Sequence, residues 1–186
     1  ESNSKFKTQV NAKYAFYRTH YVNNDDKLIH VDNLYKQREI YLSSANVYSI
    51  LSNWDVSASY DLQWNKMNAD MYGFVYPERF TNLLSVATAL RLGKVKLQAS
   101  GLATFINDRV EEGPAPEARQ ILTPAVFASY KPFEKQDFNV RAFYKRIFRM
   151  PTFNDLYYAD MGNSKLNPEY VTQYDAGFAY TKTWEN

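Results

Sequence analysis

Hydrophobic and polar residues alternate with a period of two along most of this chain, as they do in β-strands whose two faces meet different surroundings. In residues 56–64 every second residue is apolar, and the residues between them are polar or charged. The alternation recurs at 6–16, 95–105, 138–145 and 169–180, and less regular strands are expected at 35–51 and 82–92. Helical periodicity is almost absent. The pattern predicts an all-β chain of about eight antiparallel strands.

Several of these segments are long enough to cross a bilayer as tilted strands, which takes about 9–11 residues. No run approaches the roughly 18 apolar residues of a transmembrane helix. A Lys or Arg that faces lipid at the bilayer midplane costs about 2–4 kcal/mol, so Lys96 and Arg141 are expected to point into an aqueous lumen. A soluble β-sandwich would show the same alternation, and the pattern alone leaves both possibilities open.

The connections between the expected strands alternate in length. Long polar connections are expected at residues 22–33, 66–79, 107–120 and 149–167, and shorter ones at 52–53, 92–94 and 131–136. Outer-membrane barrels place long loops at the extracellular rim and short turns at the periplasmic rim. The alternation therefore predicts an up-and-down transmembrane β-barrel architecture with the first strand rising from the periplasmic side.

The composition agrees with a membrane barrel and excludes some other classes. Tyr, Phe and Trp make up 17% of the chain, and such rings concentrate at membrane interfaces. Trp54 and Trp64 are expected to anchor one strand at its two rims. The absence of Cys excludes disulfides, and a net charge of +2 gives no reason to expect a nucleic-acid partner.

The sequence contains no recognisable catalytic or phosphate-binding motif, and neither an enzymatic activity nor a cofactor is predicted. His20 and His30 both lie near the first long connection and are expected to be rim residues. A barrel hydrolase would need a Ser or Asp beside one of them. Asp25, Asp26 and Asp32 could bind Ca²⁺ through their oxygens, but a solvated loop is the favoured interpretation.

Two boxes of residues near the end of the chain resemble those of TonB-dependent outer-membrane receptors. Residues 149–158, the first box, read RMPTFNDLYY, and residues 162–169, the second box, read GNSKLNPE. In these receptors a strand ends in R-x-P-T-F-N-D/E-L-Y-Y, and a loop then leads to G-N-x-x-L-x-P-E and a further amphipathic strand. The resemblance is specific over the last third of the chain, and the first two-thirds fit by pattern.

The resemblance implies a barrel of roughly 22 strands filled by an amino-terminal plug. Such receptors import scarce large nutrients with energy that TonB delivers to the plug. The sequence shows no plug, TonB box or closing strand, so residues 1–186 are expected to be a partial barrel domain from the latter part of a larger barrel. The expected partners are outer-membrane lipid, the missing strands, the TonB complex through the missing plug, and a nutrient ligand.

The resemblance also suggests a ligand class and a set of binding residues. Haem is disfavoured because no His lies between residues 151 and 162, which leaves a ferric siderophore or cobalamin. The candidate substrate-binding residues are Arg149, Asp155, Tyr157, Tyr158, Asp160 and Asn163. An alternative from another class is a complete eight-stranded barrel with a structural or adhesive role, whose interior would be packed with side chains.

Overall fold

The computed structural model describes residues 5–24, 30–113, 115–134, 136–158 and 162–182. It contains one antiparallel sheet of eight strands and one short helix, which confirms the predicted all-β fold. The elements are β1 (Phe6–Asn23), β2 (Val31–Leu51), β3 (Trp54–Ala69), β4 (Glu78–Leu92), β5 (Val95–Arg109), β6 (Arg119–Tyr130), β7 (Asp137–Arg149), α1 (Phe153–Tyr157) and β8 (Glu169–Thr181). No helix within these ranges is long and apolar enough to cross a membrane.

The strands follow one another in sequence order, and each pairs with the next. β1 and β8 therefore each have a single neighbour, and the sheet does not close on itself. This open order contradicts the alternative of a closed eight-stranded barrel, because that architecture requires β1 to pair with β8.

The register separates the side chains into an apolar face and a polar face, as predicted. Lys96 lies opposite Ser129, which lies opposite Arg141, so both cations project from the polar face. Among the described residues, none forms a second layer over the apolar face: Val10, Tyr174 and Phe178 are each more than 70% exposed. In a β-sandwich this face would be buried against another sheet, so the exposed apolar surface agrees with a lipid-facing wall.

The two Trp residues of β3 lie on the apolar face: Trp54 begins the strand, and Trp64 lies five residues before its end. They are ten positions apart, about 33 Å along the strand and about 25 Å in height at a tilt near 40°. The Trp54 indole N–H donates to Thr88 Oγ1 at 2.9 Å, and that of Trp64 donates to Glu78 Oε1 at 2.5 Å. Each ring is thus apolar toward lipid and satisfied at its polar atom, as the interface prediction requires.

The connections occupy two rims as predicted. Residues 24–30, 70–77, 110–118 and 150–168 connect strands at one end, the long-loop rim, and residues 52–53, 93–94 and 131–136 connect them at the other, the short-turn rim. Gly93, in one of the tight turns, has φ +52, a conformation that glycine adopts without a steric penalty.

The predicted bounds of the long connections were wrong. Val22 and Asn33, expected in the first loop, lie in β1 and β2, and Lys66 and Arg79 are also paired strand residues. β2 has 21 residues, well beyond what a bilayer requires. Above the membrane both faces of a strand meet water, so the alternation fades and the sequence resembles a loop.

The pairing between β6 and β7 covers only part of the two strands. It runs from Ala125 opposite Lys145 to Tyr130 opposite Val140, in the half nearer the short-turn rim. It ends beside Pro124, which has no N–H to donate to a neighbouring strand. Toward the long-loop rim, β6 pairs with β5 alone and β7 with β8 alone.

Candidate functional site

The first box forms a capped helical turn rather than an irregular loop. The Thr152 hydroxyl accepts the Asp155 N–H at 3.3 Å, and the Asp155 carboxylate accepts the Thr152 N–H at 2.8 Å. This reciprocal capping box begins α1. The same bonds, helped by the positive charge of Arg149, hold the pKa of Asp155 below its ordinary value. The loop therefore has a fixed shape where it leaves β7.

A buried ion pair on the polar face anchors this turn to the sheet. Arg79 on β4 donates from Nε and Nη2 to the two carboxylate oxygens of Asp108 on β5, at 2.6 Å each. Its Nη1 donates to the carbonyl of Pro151 at 2.6 Å, and its guanidinium carbon lies 5.1 Å from the centre of the Phe153 ring. The side chains of Arg79 and Asp108 are only 9% and 2% exposed. The loop after β7 is thus bound across the polar face to β4 and β5, which are not neighbours of β7 in the sheet.

An aromatic cluster completes the attachment. Tyr35 on β2 is 1% exposed and packs with Phe74 and Phe153. The Tyr158 ring stacks on it with 4.3 Å between centroids, and Tyr21 lies 6.3 Å from Tyr158. Residues of β1, β2, the β3–β4 connection and the loop after β7 meet here, so the cluster joins strands that are distant in the sheet.

A concavity of about 530 Å³ lies beneath α1, between the loop and the sheet. Its lining includes Gln37, Glu39, Gln63 and Arg149 beside apolar Phe148 and Phe153. The volume falls within the range of small-molecule sites, roughly 300–1,000 Å³. A second concavity of about 540 Å³ lies on the same face nearer the short-turn rim, lined largely by small residues such as Ala87 and Ser100.

Three of the candidate binding residues, Arg149, Asp155 and Tyr157, lie at the end of β7 and in α1. Arg149 is exposed and forms two hydrogen bonds with Glu169, directly opposite on β8, at 3.0 and 3.1 Å. It lies 3.9 Å from Asp155, whose carboxylate is engaged in the cap. Tyr157 is half-buried, and burial is the main reason that its pKa is raised, with a smaller contribution from the charge of Asp108.

The other three candidate binding residues are Tyr158, Asn163 and Asp160, which follow α1 in the sequence. Tyr158 is the ring stacked on Tyr35. The Asn163 N–H donates to the Asp155 carbonyl at 2.9 Å, and its side-chain oxygen accepts the Lys165 N–H at 3.0 Å, so Asn163 shapes the end of the loop. Asp160 lies outside the described residues. The structure therefore places Arg149, at the end of β7, close to Asp155, with Tyr157 and Tyr158 in the same turn as Asp155. Their role toward a ligand stays a prediction.

The residues that hold this turn in place are not apparent from the sequence pattern. The sequence pattern places Arg79 and Asp108 in polar connections and Tyr35 at the beginning of a strand. A signal was available, because continuing the alternation from Thr104 through Ile106 places Asp108 on the polar face. What the sequence did not reveal was that one loop would meet Arg79 and Tyr35 together.

The structure places an Asp beside His20, which is one requirement of the hydrolase hypothesis, and the calcium hypothesis stays a prediction. His20 Nε2 lies 2.6 Å from Asp32 Oδ1, both side chains exposed, at the end of the β1–β2 pair. Asp25 and Asp26 lie outside the described residues. Within the part of the chain that the structure describes, no three His, Asp or Glu side chains are grouped to hold a metal ion.

Comparison with known proteins decides the family. The family model described as "TonB dependent receptor-like, beta-barrel" matches residues 1–186. This chain belongs to the TonB-dependent receptor family. The receptors of this family reside in the outer membrane of Gram-negative-type envelopes, which confirms the predicted location. No curated protein matches the chain.

Two solved structures share the fold of this TonB-dependent receptor chain. "Copper transporter OprC" is 14% identical with a TM-score of 0.68, over 95% of this chain and 33% of that one. The "FpvAI-pyocin S2 complex" is 17% identical with a TM-score of 0.50, over 93% of this chain and 27% of that one. The chain thus spans about a third of the length of the first. At these identities the likeness establishes the fold alone.

Proposed function

We propose that this chain is part of the barrel of a receptor that imports a scarce, large nutrient through the outer membrane, a ferric siderophore or cobalamin. The observation that carries the proposal is α1, fixed by Arg79 and Asp108 above a concavity of mixed polar and apolar lining at the long-loop rim. A ligand arriving from outside would meet this turn before it entered the lumen. The proposed role is binding and transport, with no covalent change to the nutrient.

The chemistry of the site suits a bulky ligand that carries both rings and charges. Tyr157 and Tyr158 present aromatic surface, and Arg149 is 58% exposed at its side chain despite its pairing with Glu169. Guanidinium groups bind carboxylates and hydroxamate-like oxygens through two parallel hydrogen bonds, and aromatic rings cover flat apolar surface. We assign Arg149, Asp155, Tyr157, Tyr158, Asp160 and Asn163 to ligand contact within this proposal.

The proposal requires further parts of a receptor. β1 and β8 each have an unpaired edge, and lipid cannot satisfy their exposed N–H and C=O groups. We infer that these edges pair with further strands of a larger barrel, of which residues 1–186 are a part. A plug inside that barrel would receive energy from the TonB complex.

Growth of a deletion strain tests the proposal. One strain carries the full-length receptor and a matched strain carries none. Iron is supplied only as a defined ferric siderophore or as haem, and cobalamin is tested as a separate nutrient. Copper uptake is measured as well, because one solved structure is a copper transporter. We expect receptor-dependent growth on one siderophore or on cobalamin. Equal growth with and without the receptor on every siderophore and on cobalamin would contradict the proposal.

Variants then test the site itself. Arg149→Ala and Tyr157→Ala in the full-length receptor are expected to weaken nutrient binding at least tenfold, measured as Kd on whole cells. Arg91→Ala is the matched control, because Arg91 pairs with Asp55 at 2.6 Å near the short-turn rim. Equal loss in all three variants would mean that the first box has no special role.

A further inference from the structure

The apolar face carries an uncompensated group of cations immediately beyond its aromatic edge. Arg18 on β1 lies directly opposite Lys36 on β2, and Arg38 on β2 lies directly opposite Lys66 on β3. Residues directly opposite in an antiparallel pair have Cβ atoms about 4.5–5.5 Å apart, and like charges in that position destabilise the sheet. The three exposed residues Arg18, Lys36 and Arg38 are called here the basic cluster.

The position of the basic cluster follows from the register. Ile40 lies opposite Trp64, and Arg38 is the next residue toward the long-loop rim on the same face of β2. That step is about 7 Å along the strand. Phe16 lies directly opposite Arg38, and Tyr14 and Val10 continue the exposed apolar surface below it. The cations therefore stand at the height where hydrocarbon gives way to lipid headgroups.

Nearby acidic residues are engaged elsewhere. Asp32 is 2.6 Å from His20, and Glu111 is 3.0 Å from Lys66. Glu39, although adjacent in sequence, projects from the polar face, where it pairs with Lys13. In the described portion of the chain, no carboxylate forms an ion pair with any member of the basic cluster.

The neighbouring strands show the ordinary arrangement at the same rim. On β4 and β5 the residues beyond the aromatic edge are Glu78 and Arg109, which are opposite in charge and directly opposite in register. Arg109 also lies 5.8 Å from the centre of the Phe80 ring. β4 and β5 thus pair opposite charges where β1 and β2 pair like charges, and the charge excess on β1 and β2 would be relieved by an external anion.

We propose that the basic cluster binds the phosphate group of an outer-leaflet lipid. The apolar residues below it contact the acyl chains, and Arg18, Lys36 and Arg38 surround the phosphate oxygens. A free anion would use the same charges but would gain nothing from the adjoining apolar surface. The combination of cations and exposed apolar residues on one face therefore favours a membrane lipid over a solute.

The test compares two triple variants of the full-length receptor purified in neutral detergent. The first is Arg18→Gln, Lys36→Gln and Arg38→Gln. The control is Lys96→Gln, Arg141→Gln and Lys145→Gln, which removes the same charge from the polar face. Binding of bisphosphorylated lipid A is measured by native mass spectrometry, alongside the same lipid without its phosphates and inorganic phosphate as competitor.

We expect the cluster variant to bind lipid A on the order of a hundredfold more weakly, about fivefold for each cation removed, and the control to bind normally. In lipid-free detergent the cluster variant should melt at the same temperature as the wild type or higher, because like-charge repulsion has been removed. That readout separates loss of the site from failure to fold.

Three outcomes would overturn the proposal. The first is equal loss of binding in both variants, which would indicate a general effect of net charge. The second is undiminished binding of the phosphate-free lipid. The third is complete displacement of lipid A by millimolar inorganic phosphate, which would indicate a site for a free anion.

Discussion

Tyr158, in the loop that follows β7, stacks on Tyr35 of β2 with 4.3 Å between ring centroids. Five strand-to-strand steps separate β7 from β2 in the sheet, a path of about 24 Å at the usual strand spacing. The contact therefore spans the polar face rather than joining neighbours. It makes the position of the proposed ligand-binding turn depend on a residue far away in the sheet.

Replacing Tyr158 tests whether its ring positions the turn or contacts the nutrient. Tyr158→Ala removes a stacked pair worth about 0.5–1.5 kcal/mol beyond its buried area, and it should lower nutrient affinity and transport together. Tyr158→Phe keeps the stack, so a positioning role predicts nearly normal binding on whole cells. If the Phe variant binds as poorly as the Ala variant, the hydroxyl makes a contact that stacking does not explain.

Breaking the Arg79–Asp108 pair should release the loop after β7. Arg79→Ala leaves the Asp108 carboxylate buried without its partner, a change that costs about 3–5 kcal/mol. Loop cleavage by a protease added to intact cells should become at least a hundredfold faster. The double replacement Arg79→Met with Asp108→Leu should recover part of the loss, because a buried pair can be replaced by apolar residues more cheaply than it can be broken.

An exposed ion pair provides the comparison for that experiment. Arg91 pairs with Asp55 at 2.6 Å, but the Arg91 side chain is 49% exposed, and such pairs contribute less than about 1 kcal/mol. Arg91→Ala should leave both cleavage rate and melting temperature close to those of the wild type. Similar effects of Arg79→Ala and Arg91→Ala would refute the anchoring role of the buried pair.

The cap of α1 should depend on Thr152 and on pH. Thr152→Ala should destabilise the turn by about 0.5–2 kcal/mol, whereas Thr152→Ser retains the hydroxyl and should have little effect. Because the folded pKa of Asp155 is lowered, its stabilising effect is complete above the unfolded value, near 3.9, and is lost as pH falls through the lowered value.

Hydrogen-exchange protection of amides 156 and 158, corrected for the intrinsic rate at each pH, measures both effects. Their N–H groups donate to Thr152 and Asn154 at 3.1 and 3.4 Å. Protection should fall on acidification below pH 4 in the wild type and should be less pH-dependent in Asp155→Asn. A wild-type turn that stays equally protected down to pH 2 would argue against a contribution from the capping carboxylate.

Adjacent positions on β4 test the assignment of the two faces. Val86 is 54% exposed on the apolar face, and Ala87 lies beside it on the polar face, where it lines the second concavity. Val86→Lys should lower the free energy of unfolding in lipid vesicles by about 2–4 kcal/mol, and Ala87→Lys should change it much less. Equal costs at the two positions would show that the apolar face does not contact lipid.

The sequence predicted the sheet well because each strand carries its own two-residue period. The apolar positions from Val56 to Trp64 and the alternation of loop lengths were sufficient for the architecture and for the orientation of Lys96 and Arg141. Strand ends were predicted poorly, since Val22 and Asn33 still belong to paired strands above the membrane, opposite Asp32 and Tyr21, where lipid no longer imposes a pattern. Local periodicity carries no information about how far a strand continues beyond the bilayer.

The attachment of the loop was less accessible than the sheet. Thr152 and Asp155 have the spacing of a capping box, so α1 could have been predicted from local chemistry alone. The contacts of Arg79 with Asp108 and Pro151 join positions that are 29 and 72 residues apart. Such contacts depend on how the whole sheet curves and where the loop falls on it, which no single segment encodes.

The partial ladder between β6 and β7 has a mechanical consequence for the turn that follows β7. Between Arg146 and Arg149 the backbone of β7 is held by β8 but not by β6. The outer end of the β7–β8 hairpin can therefore tilt sideways without breaking a backbone hydrogen bond to β6. The stiffness that resists this tilt comes from side chains on β2 and β4, so a ligand that displaced those side chains would loosen the hairpin while the wall within the bilayer stayed intact.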